Sequence, residues 1–273
     1  DVEVYLTHEY DDYVPTPVPQ VSDKYEVMIN ICSLWRQGSH FGWEAVSAYE
    51  DKETYLGFYD EGNPEVSDWE IKFLAEHGYD FEHFCWYYNS DTFKNGIKEP
   101  RMGFALHDGY MNAKYSDMVK FAIMWENWGA GNVTKDIFLN EIWPYWCEWY
   151  FSDSRYMTIN NKPVMTIYRH PKFIEHMGGV EAAKEVINFM REDIKKLGYD
   201  GMIILGTSSG SLSENIEAEA IGIDGFVAYH FGEAAYNPEH QFNSLNAAYD
   251  NGHTPFFPSV GVGFNDIGWT ETR

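Results

Sequence analysis

A repeated unit, in which an amphipathic helical stretch precedes a short apolar run, most constrains how this chain can fold. Near-continuous apolar strands separated by helices predict a parallel sheet with helices outside it and right-handed crossovers. Seven such strands in 273 residues favour an α/β fold of the (β/α)8 TIM-barrel-like class over an open sheet. The predicted strands are Val27–Leu34, Tyr79–Trp86, Val119–Trp125, Pro163–Tyr168, Gly201–Gly206, Gly225–Tyr229 and Pro255–Val260.

Three joints between helix and strand share the pattern Gly-x-Asp. Glycine readily adopts the left-handed conformation that ends a helix, so each joint predicts a helix end. The clearest predicted helices are Pro64–His77, with Asn63 as its N-cap, and Gly179–Leu197, whose apolar residues recur with the helical period. The joints are Gly78-Tyr-Asp80, Gly198-Tyr-Asp200 and Gly222-Ile-Asp224.

The chain is predicted to hold one barrel domain behind a short lead-in. Residues 1–24 end near Pro15-Thr-Pro-Val-Pro19, and three prolines in five positions exclude both a helix and a central strand. Residues 25–273 are therefore assigned to the barrel, and residues 1–24 to an extended segment.

The strongly negative net charge of the chain limits which molecules it can bind. A net charge of −24 disfavours nucleic acid, anionic membranes and polyanionic substrates, unless a local basic pocket overrides the field. No run of 18 apolar residues predicts a membrane span, and Asp1-Val-Glu-Val-Tyr5 does not open a signal peptide. A mature secreted chain has the same appearance. Three cysteines are too few for a disulfide framework.

Aromatic residues make up 18% of the chain, more than a core requires, because tryptophan and tyrosine carry polar tips. Many of these rings are expected at a surface or in a cleft. Stacking on sugars and an interface with another protein explain this composition equally well.

In a barrel, the working residues lie where each strand passes into the following loop. One face is therefore expected to collect aromatic, amide, cationic and carboxylate side chains. The predicted catalytic residue is Glu126. The predicted substrate-binding residues are Trp86, Tyr87, Trp125, Asn127, Tyr168, Arg169, His170, Tyr229, His230, Asp266 and Trp269.

Glu126 is predicted to take part in acid–base catalysis, because it lies among tryptophans at a strand end, where desolvation can raise its pKa. A carboxylate that only hydrogen-bonds a sugar hydroxyl or the backbone is the equal alternative. His170 and His230 match no metal-ligand spacing, so no metal is predicted. Asp60 and Glu61 are interpreted as charges that complement the first helix.

No cofactor is expected. No Gly-x-Gly-x-x-Gly follows the first predicted strand, and no Walker A motif occurs. The stretch Gly206-Thr-Ser-Ser-Gly210 is interpreted as a flexible loop rather than a phosphate cradle.

Several segments resemble the WbsX-like, glycoside hydrolase family 99-like group. The stretch Tyr55–Gly78, with Gly57-Phe-Tyr-Asp60 and Pro64-Glu-Val66, looks like the family's opening loop and first helix. Phe84-Cys-Trp-Tyr-Tyr88, Phe121-Ala-Ile-Met-Trp-Glu-Asn-Trp128 and Asn160-Asn-Lys-Pro-Val-Met-Thr-Ile-Tyr168 are similar to its later strand ends. The resemblance runs from about Val27 to the end of the chain.

The resemblance implies a (β/α)8 barrel related to endo-α-mannosidases, with hydrolysis of an oligo- or polysaccharide as the leading function. A binding protein without activity and a glycosyltransferase of polysaccharide assembly are the alternatives. In family 99 both working glutamates lie in an Asn-Glu-Trp-x-Glu-Gly motif, which does not occur here. Gly268-Trp-Thr-Glu-Thr-Arg273 is similar to a stretch after the seventh strand, so the last βα unit is expected to be missing from this sequence.

Two further expectations concern specificity and location. The long segment Asn89–Tyr115, with Arg101, His107 and Asp108, is expected to determine which sugar and linkage are recognised. The expected substrate and the acidic composition favour a secreted, periplasmic or cell-surface location. The oligomeric state is left open.

Overall fold

A computed structural model describes residues 13–21, 24–36, 43, 46–129, 131–207, 212–229, 237–250 and 255–261. All seven predicted strands are present within these ranges. The strands are β1 (Met28–Ile31), β2 (Phe81–Trp86), β3 (Lys120–Trp125), β4 (Thr158–Ile159), β5 (Lys162–Ile167), β6 (Ile203–Thr207), β7 (Gly225–Val227) and β8 (Phe256–Phe257). The α-helices are α1 (Pro64–Glu76), α2 (Ser90–Lys94), α3 (Lys135–Ile137), α4 (Trp143–Trp146), α5 (His170–Met177), α6 (Val180–Asp193), α7 (Leu212–Ile221) and α8 (Pro238–Asp250).

The chain forms two compact units. Unit 1 comprises Asp1–Cys85, Pro100–Phe121 and Asp266–Arg273. Unit 2 comprises Trp86–Glu99 and Ala122–Asn265.

In unit 1, β1 and β2 are parallel and pair from Met28 with Phe81 to Ile31 with Phe84. The connection between them contains α1, which begins as the sequence predicts. The Asn63 side chain accepts a hydrogen bond from the Glu65 N–H at 3.0 Å, which satisfies one of the free N–H groups at the helix start.

The lead-in of unit 1 lies along α1. Its Val14 is buried, and the Gln20 N–H donates to the Ala75 carbonyl at 2.8 Å. The fully buried carboxylate of Asp68 accepts hydrogen bonds from the Tyr13 hydroxyl and from the Tyr115 N–H, the latter at 2.7 Å. A buried charge requires such donors, so the lead-in completes the packing of this helix.

The strands of unit 2 run in the order β3-β5-β6-β7-β8, and each pair is parallel. Strand β4 is the exception and was not predicted. It pairs with β5 in antiparallel fashion through a tight turn in which Asn160 and Asn161 have φ of 50° and 56°. Asparagine tolerates this left-handed conformation better than most residues.

The Gly-x-Asp joints end their helices as predicted, with φ of 75° at Gly78, 92° at Gly198 and 93° at Gly222. The aspartates have a role that the pattern did not show. Asp80 accepts the Val27 N–H at 2.6 Å, and Asp224 accepts the Ile204 N–H at 2.8 Å. Each of these carboxylates thus fastens a joint to the strand that precedes it.

A layer of aromatic rings covers one face of the sheet in unit 2. It is built on the helical stretch Lys135–Phe151, in which α3 and α4 alternate with π-helical turns at Phe138–Ile142 and Cys147–Phe151. Trp146 packs edge-on against both Trp86 and Trp125, with ring centres 5.2 and 5.6 Å apart. Such contacts stabilise beyond simple burial.

Within the described residues, no helix combines the length and the apolar character needed to cross a bilayer. The three cysteines are free thiols: Cys85 is buried, and Cys32 and Cys147 are half-buried.

Candidate functional site

Several predicted site residues lie side by side at the ends of neighbouring strands in unit 2. The Glu126 N–H donates to the Trp86 carbonyl at 2.9 Å, and the Tyr168 N–H donates to the Trp125 carbonyl at 3.0 Å. Side chains alternate between the faces of a sheet, and the rings of Trp86 and Trp125 lie in the aromatic layer. Tyr87, Glu126 and Tyr168 therefore project from the opposite face.

Glu126 is half-buried and is held through both carboxylate oxygens. Its Oε1 accepts the Trp128 N–H and its Oε2 accepts the Gly129 N–H, each at 3.2 Å. These donors fix the orientation of the carboxylate and stabilise its negative charge. A carboxylate has about four acceptor sites, so this one can still accept hydrogen bonds from a bound molecule.

Asn127 ties the ends of β3 and β5 together. Its amide nitrogen donates to the Arg169 carbonyl, and its amide oxygen accepts the Arg169 N–H, both at 2.8 Å. The Asn127 carbonyl lies 3.1 Å from Nε2 of His176. Because Asn127 is fully buried, its side chain positions the two loops, and a direct substrate contact stays a prediction.

The loops that Asn127 joins carry an exposed pair. The guanidinium of Arg169 lies over the Trp128 ring, 5.1 Å from its centre. Trp128 is 63% exposed, although large aromatic rings usually lie at least partly inside a protein. Its exposure beside Glu126 adds it to the candidate site, and the sequence pattern Trp-Glu-Asn-Trp was the signal that could have identified it.

Tyr168 and Tyr229 form a second aromatic pair at the strand ends. Their ring centres are 5.1 Å apart, with an edge-on geometry, and both rings are half-buried. The Thr207 hydroxyl donates to the Tyr168 carbonyl, which fixes the backbone at this position. Thr207 was not among the predicted site residues, because its strand was expected to end at Gly206.

Three of the predicted substrate-binding rings lie in the interior of unit 2. Trp86, Trp125 and His170 are 3%, 0% and 1% exposed. His170 packs beside Phe226, with ring centres 5.8 Å apart. Packing accounts for the presence of all three rings, and a substrate contact by any of them stays a prediction.

His230, Asp266 and Trp269 lie outside the described residues, as do residues 208–210 of the loop interpreted as flexible. Over the part of the chain that the structure describes, no group of three or more histidine, cysteine, aspartate or glutamate side chains is placed to hold a metal ion.

Unit 1 holds a second bound carboxylate, that of Glu61. Its Oε2 accepts the N–H groups of Leu34 at 2.7 Å and Trp35 at 2.9 Å. Burial raises the pKa of Glu61 to about 7, although these two hydrogen bonds act to lower it. The interpretation of Glu61 as a charge at the start of α1 is therefore corrected, because its oxygen binds the chain after β1.

Asp60 also has a different role from the expected one. It pairs with Arg36 at 2.9 Å and accepts the Gly62 N–H at 2.7 Å. Arg36 also pairs with Asp108 at 2.8 Å and lies over the Phe104 ring. Asp108 belongs to the segment expected to determine specificity, and here it anchors that segment to the loop after β1.

Two further carboxyl groups of unit 1 interact across α1 and β2. Glu82 is 2% exposed, and burial raises its pKa to about 8. Burial and the charges of Glu82 and Glu61 raise the pKa of Glu70 well above its ordinary value. Neither residue was predicted, although a glutamate within the apolar run Phe81–Trp86 was a visible signal.

A family model described as Glycosyltransferase WbsX matches residues 51–254. No curated protein gives a significant match. Among solved structures, the chain is similar to a GH99 endo-alpha-mannosidase from Bacteroides thetaiotaomicron. That structure has a TM-score of 0.57 and 17% identity, and the match covers 91% of this chain and 74% of that one.

A structure described as a GH99 endo-alpha-mannosidase from this organism in complex with BIS-TRIS-propane gives a TM-score of 0.57, 16% identity and coverage of 91% of this chain and 72% of that one. The expected (β/α)8-barrel-like fold is thereby confirmed, as is the resemblance to the WbsX-like and family 99-like group. At this identity the comparison concerns the fold and leaves substrate and mechanism open.

Proposed function

The chain belongs to the Glycosyltransferase WbsX family, whose model matches three quarters of the chain. From this premise we propose that the protein hydrolyses glycosidic bonds in an oligo- or polysaccharide. The reaction would take place at the strand ends of unit 2. Glu126 would be the carboxylate that acts on the reacting sugar, and the neighbouring aromatic rings would hold the glycan.

The observation that supports this proposal most is the geometry of Glu126. Glycoside hydrolysis requires a carboxylate that accepts a proton or stabilises the positive charge that develops on the sugar. Two backbone N–H groups already orient the Glu126 carboxylate, so little reorganisation is needed when charge develops. Among the described strand ends of unit 2, Glu126 is the carboxylate that occupies such a position.

The rings around Glu126 supply the second requirement. Tyr168 and Tyr229 form a rigid edge-on pair, and Trp128 is exposed beside the carboxylate. Aromatic rings bind the apolar faces of sugars, and tyrosine hydroxyls also bond to sugar hydroxyls. This combination suits a neutral or sparsely charged sugar better than a phosphate-rich ligand.

The description of the family favours a second candidate, transfer of a sugar from a sugar nucleotide. Fold alone does not separate the two reactions, because the solved neighbours are mannosidases and the family model carries a transferase name. A binding protein without turnover is the third candidate. The need for a nucleotide donor and the release of sugar distinguish all three.

The test compares the wild-type protein with Glu126→Gln. Each is incubated with a panel of oligosaccharides, with and without sugar nucleotides, and the release of reducing ends is measured. Hydrolysis without a nucleotide is expected, with kcat/KM lowered at least about 100-fold in Glu126→Gln, the range for loss of acid–base catalysis.

The matched control is Glu181→Gln, which removes the same charge at an exposed position of α6. Its activity should equal that of the wild type. Turnover that survives in Glu126→Gln would remove the role assigned to this residue. A product that forms only with a sugar nucleotide would establish transfer, and a retained glycan without any product would establish binding alone.

A further inference from the structure

We propose that Arg169, stacked on Trp128, forms a subsite for a carboxylate or sulfate group on the glycan, so that the preferred substrate contains negatively charged sugar residues. This inference rests on the proposed action on a glycan and adds the substrate class. Five features support it: the stacking of Arg169, its lack of an ion pair within the described residues, its fixed backbone, the start of α5 and the overall charge.

The stacking leaves the bonding edge of Arg169 available. Arg169 is exposed, and its guanidinium lies 5.1 Å from the centre of the Trp128 ring. A guanidinium that rests on an aromatic ring keeps its N–H groups in a fork that matches two oxygens of a carboxylate or sulfate. A sugar that carries such a group could also contact the exposed indole.

The pairing of the arginines sets Arg169 apart from several others. Arg36, Arg155 and Arg191 each form an ion pair with an aspartate. Arg169 and Arg101 form no ion pair with any described residue, although the chain has 43 acidic and 19 basic residues, and of these two Arg169 is the one at the strand ends of unit 2. In such an acidic chain a guanidinium readily finds an internal partner, so an exposed one at the strand ends indicates an external anion.

The carboxylate of the neighbouring loop, Glu126, forms no ion pair with Arg169. Both oxygens of Glu126 accept N–H groups of its own loop, from Trp128 and Gly129. The backbone of Arg169 is held by two hydrogen bonds to the buried Asn127 side chain. The backbone that carries the subsite is therefore held in place before a ligand arrives, which lowers the entropy cost of binding.

The start of α5 adds to the positive potential at this place. Arg169 is the N-cap residue of α5, and its carbonyl accepts the Phe173 N–H. The N-terminal end of a helix carries a partial positive charge that favours anions within the first turn. This contribution supplements the guanidinium and would not form a site by itself.

The overall charge limits how many negative groups the substrate can carry. A net charge of −24 repels a densely charged polymer, and one guanidinium offsets only a local part of that field. The substrate class that fits is a mainly neutral glycan with scattered uronic acid or sulfated residues.

The experiment uses matched oligosaccharides of mannose, glucose and galactose. Each series has a neutral form, a form with one hexuronic acid and a form with one 6-sulfated residue. Binding to the full chain is measured by calorimetry at low and high salt. The wild type should bind at least one charged form about tenfold more tightly than its neutral analogue, as for one charge-assisted pair.

Three variants separate charge from geometry. Arg169→Gln should reduce the preference for the charged form to less than about twofold. Arg169→Lys keeps the charge without the fork and should retain only part of the preference. Lys184→Gln removes one positive charge at an exposed position of α6 and should retain all of it.

The two charged oligosaccharides identify the anionic group that Arg169 binds. A preference confined to the hexuronic acid form assigns a carboxylate, and a preference confined to the sulfated form assigns a sulfate. Equal binding of neutral and charged forms, or a preference that Arg169→Gln leaves unchanged, would overturn the subsite. Turnover of a neutral glycan that depends on Glu126 would then still support hydrolysis. A wild type that binds no glycan in any series would overturn both proposals.

Discussion

Glu61 in unit 1 and Glu126 in unit 2 are both carboxylates that accept two backbone N–H groups, yet their surroundings differ. Glu61 is 6% exposed and takes both N–H groups on one oxygen, whereas Glu126 is half-buried and takes one on each oxygen. Burial raises the pKa of Glu61 to about 7 in spite of these bonds. At this buried carboxyl group, desolvation thus outweighs hydrogen bonding.

A raised pKa does not by itself mark a functional carboxyl group. In unit 1 the Glu61 carboxyl group, whose pKa is raised, binds the N–H groups of Leu34 and Trp35 and so holds the chain after β1. In unit 2 the candidate carboxylate stays accessible and is oriented by an exposed loop. A shifted pKa is thus weak evidence for catalysis when packing already explains it.

The largest expected effect is a dependence of stability on pH that originates in unit 1. The folded-state pKa of Glu82 is about 8, against an ordinary value of 4.5. Between these values the folded state binds more protons than the unfolded state. The free energy of unfolding should therefore fall as pH rises from about 4.5 to about 8, by at most about 1.4 kcal/mol per pH unit for this group.

Chemical denaturation across this pH range measures the slope. Glu82→Gln cannot ionise and should flatten the curve, so that the variant gains stability relative to the wild type as pH rises. Parallel curves for the wild type and Glu82→Gln would mean that Glu82 does not titrate in this window.

The next effect concerns the two bound carboxylates directly. Glu61→Leu leaves the N–H groups of Leu34 and Trp35 without their acceptor, and should cost about 2–4 kcal/mol of unfolding free energy. Glu126→Leu exposes the N–H groups of Trp128 and Gly129, which water can satisfy, and should cost less than about 1 kcal/mol. Urea denaturation of both variants checks the difference, and equal losses would remove the contrast between the two sites.

The smallest effect comes from a pair of glycines: Gly109 lies beside the backbone of Glu61, and Gly129 lies beside the carboxylate of Glu126. A Cβ atom on Gly109 would lie 2.4 Å from the Glu61 carbonyl and 2.5 Å from the Ser67 hydroxyl, so Gly109→Ala should cost about 1–3 kcal/mol. A Cβ atom on Gly129 would lie 3.3 Å from Oε2 of Glu126, and Gly129→Ala should cost under about 0.5 kcal/mol.

Thermal unfolding distinguishes the two alanine variants. A lower midpoint is expected for Gly109→Ala alone. If Gly129→Ala proves the more damaging, the loop that orients Glu126 is more tightly packed than its exposure indicates.

The sequence predicted the strands and helix ends well, because they depend on local chemistry. Apolar runs marked β1 to β3 and β5 to β8, and Gly78, Gly198 and Gly222 ended helices as expected. Strand β4 was missed because its two residues depend on the turn at Asn160 and Asn161 and on pairing with β5. The aromatic layer was missed because helical periodicity does not show which rings meet.

The candidate site was predicted in part. The position of Tyr87, Glu126 and Tyr168 at the ends of neighbouring strands follows from the rule that functional residues lie where strands pass into loops. That rule does not show which face a side chain takes, and the structure places the rings of Trp86 and Trp125 in the aromatic layer. The exposure of Trp128 and the stacking of Arg169 on its ring depend on the conformation of the loops, which a sequence alone does not give.

The aspartates of the Gly-x-Asp joints have a consequence for how the protein is made. Asp80 bonds to Val27, Asp200 bonds through its backbone N–H and side chain to Asn161, and Asp224 bonds to Ile204. In every case the partner lies earlier in the chain. Each contact can thus form as soon as its aspartate leaves the ribosome, because the partner has left before it.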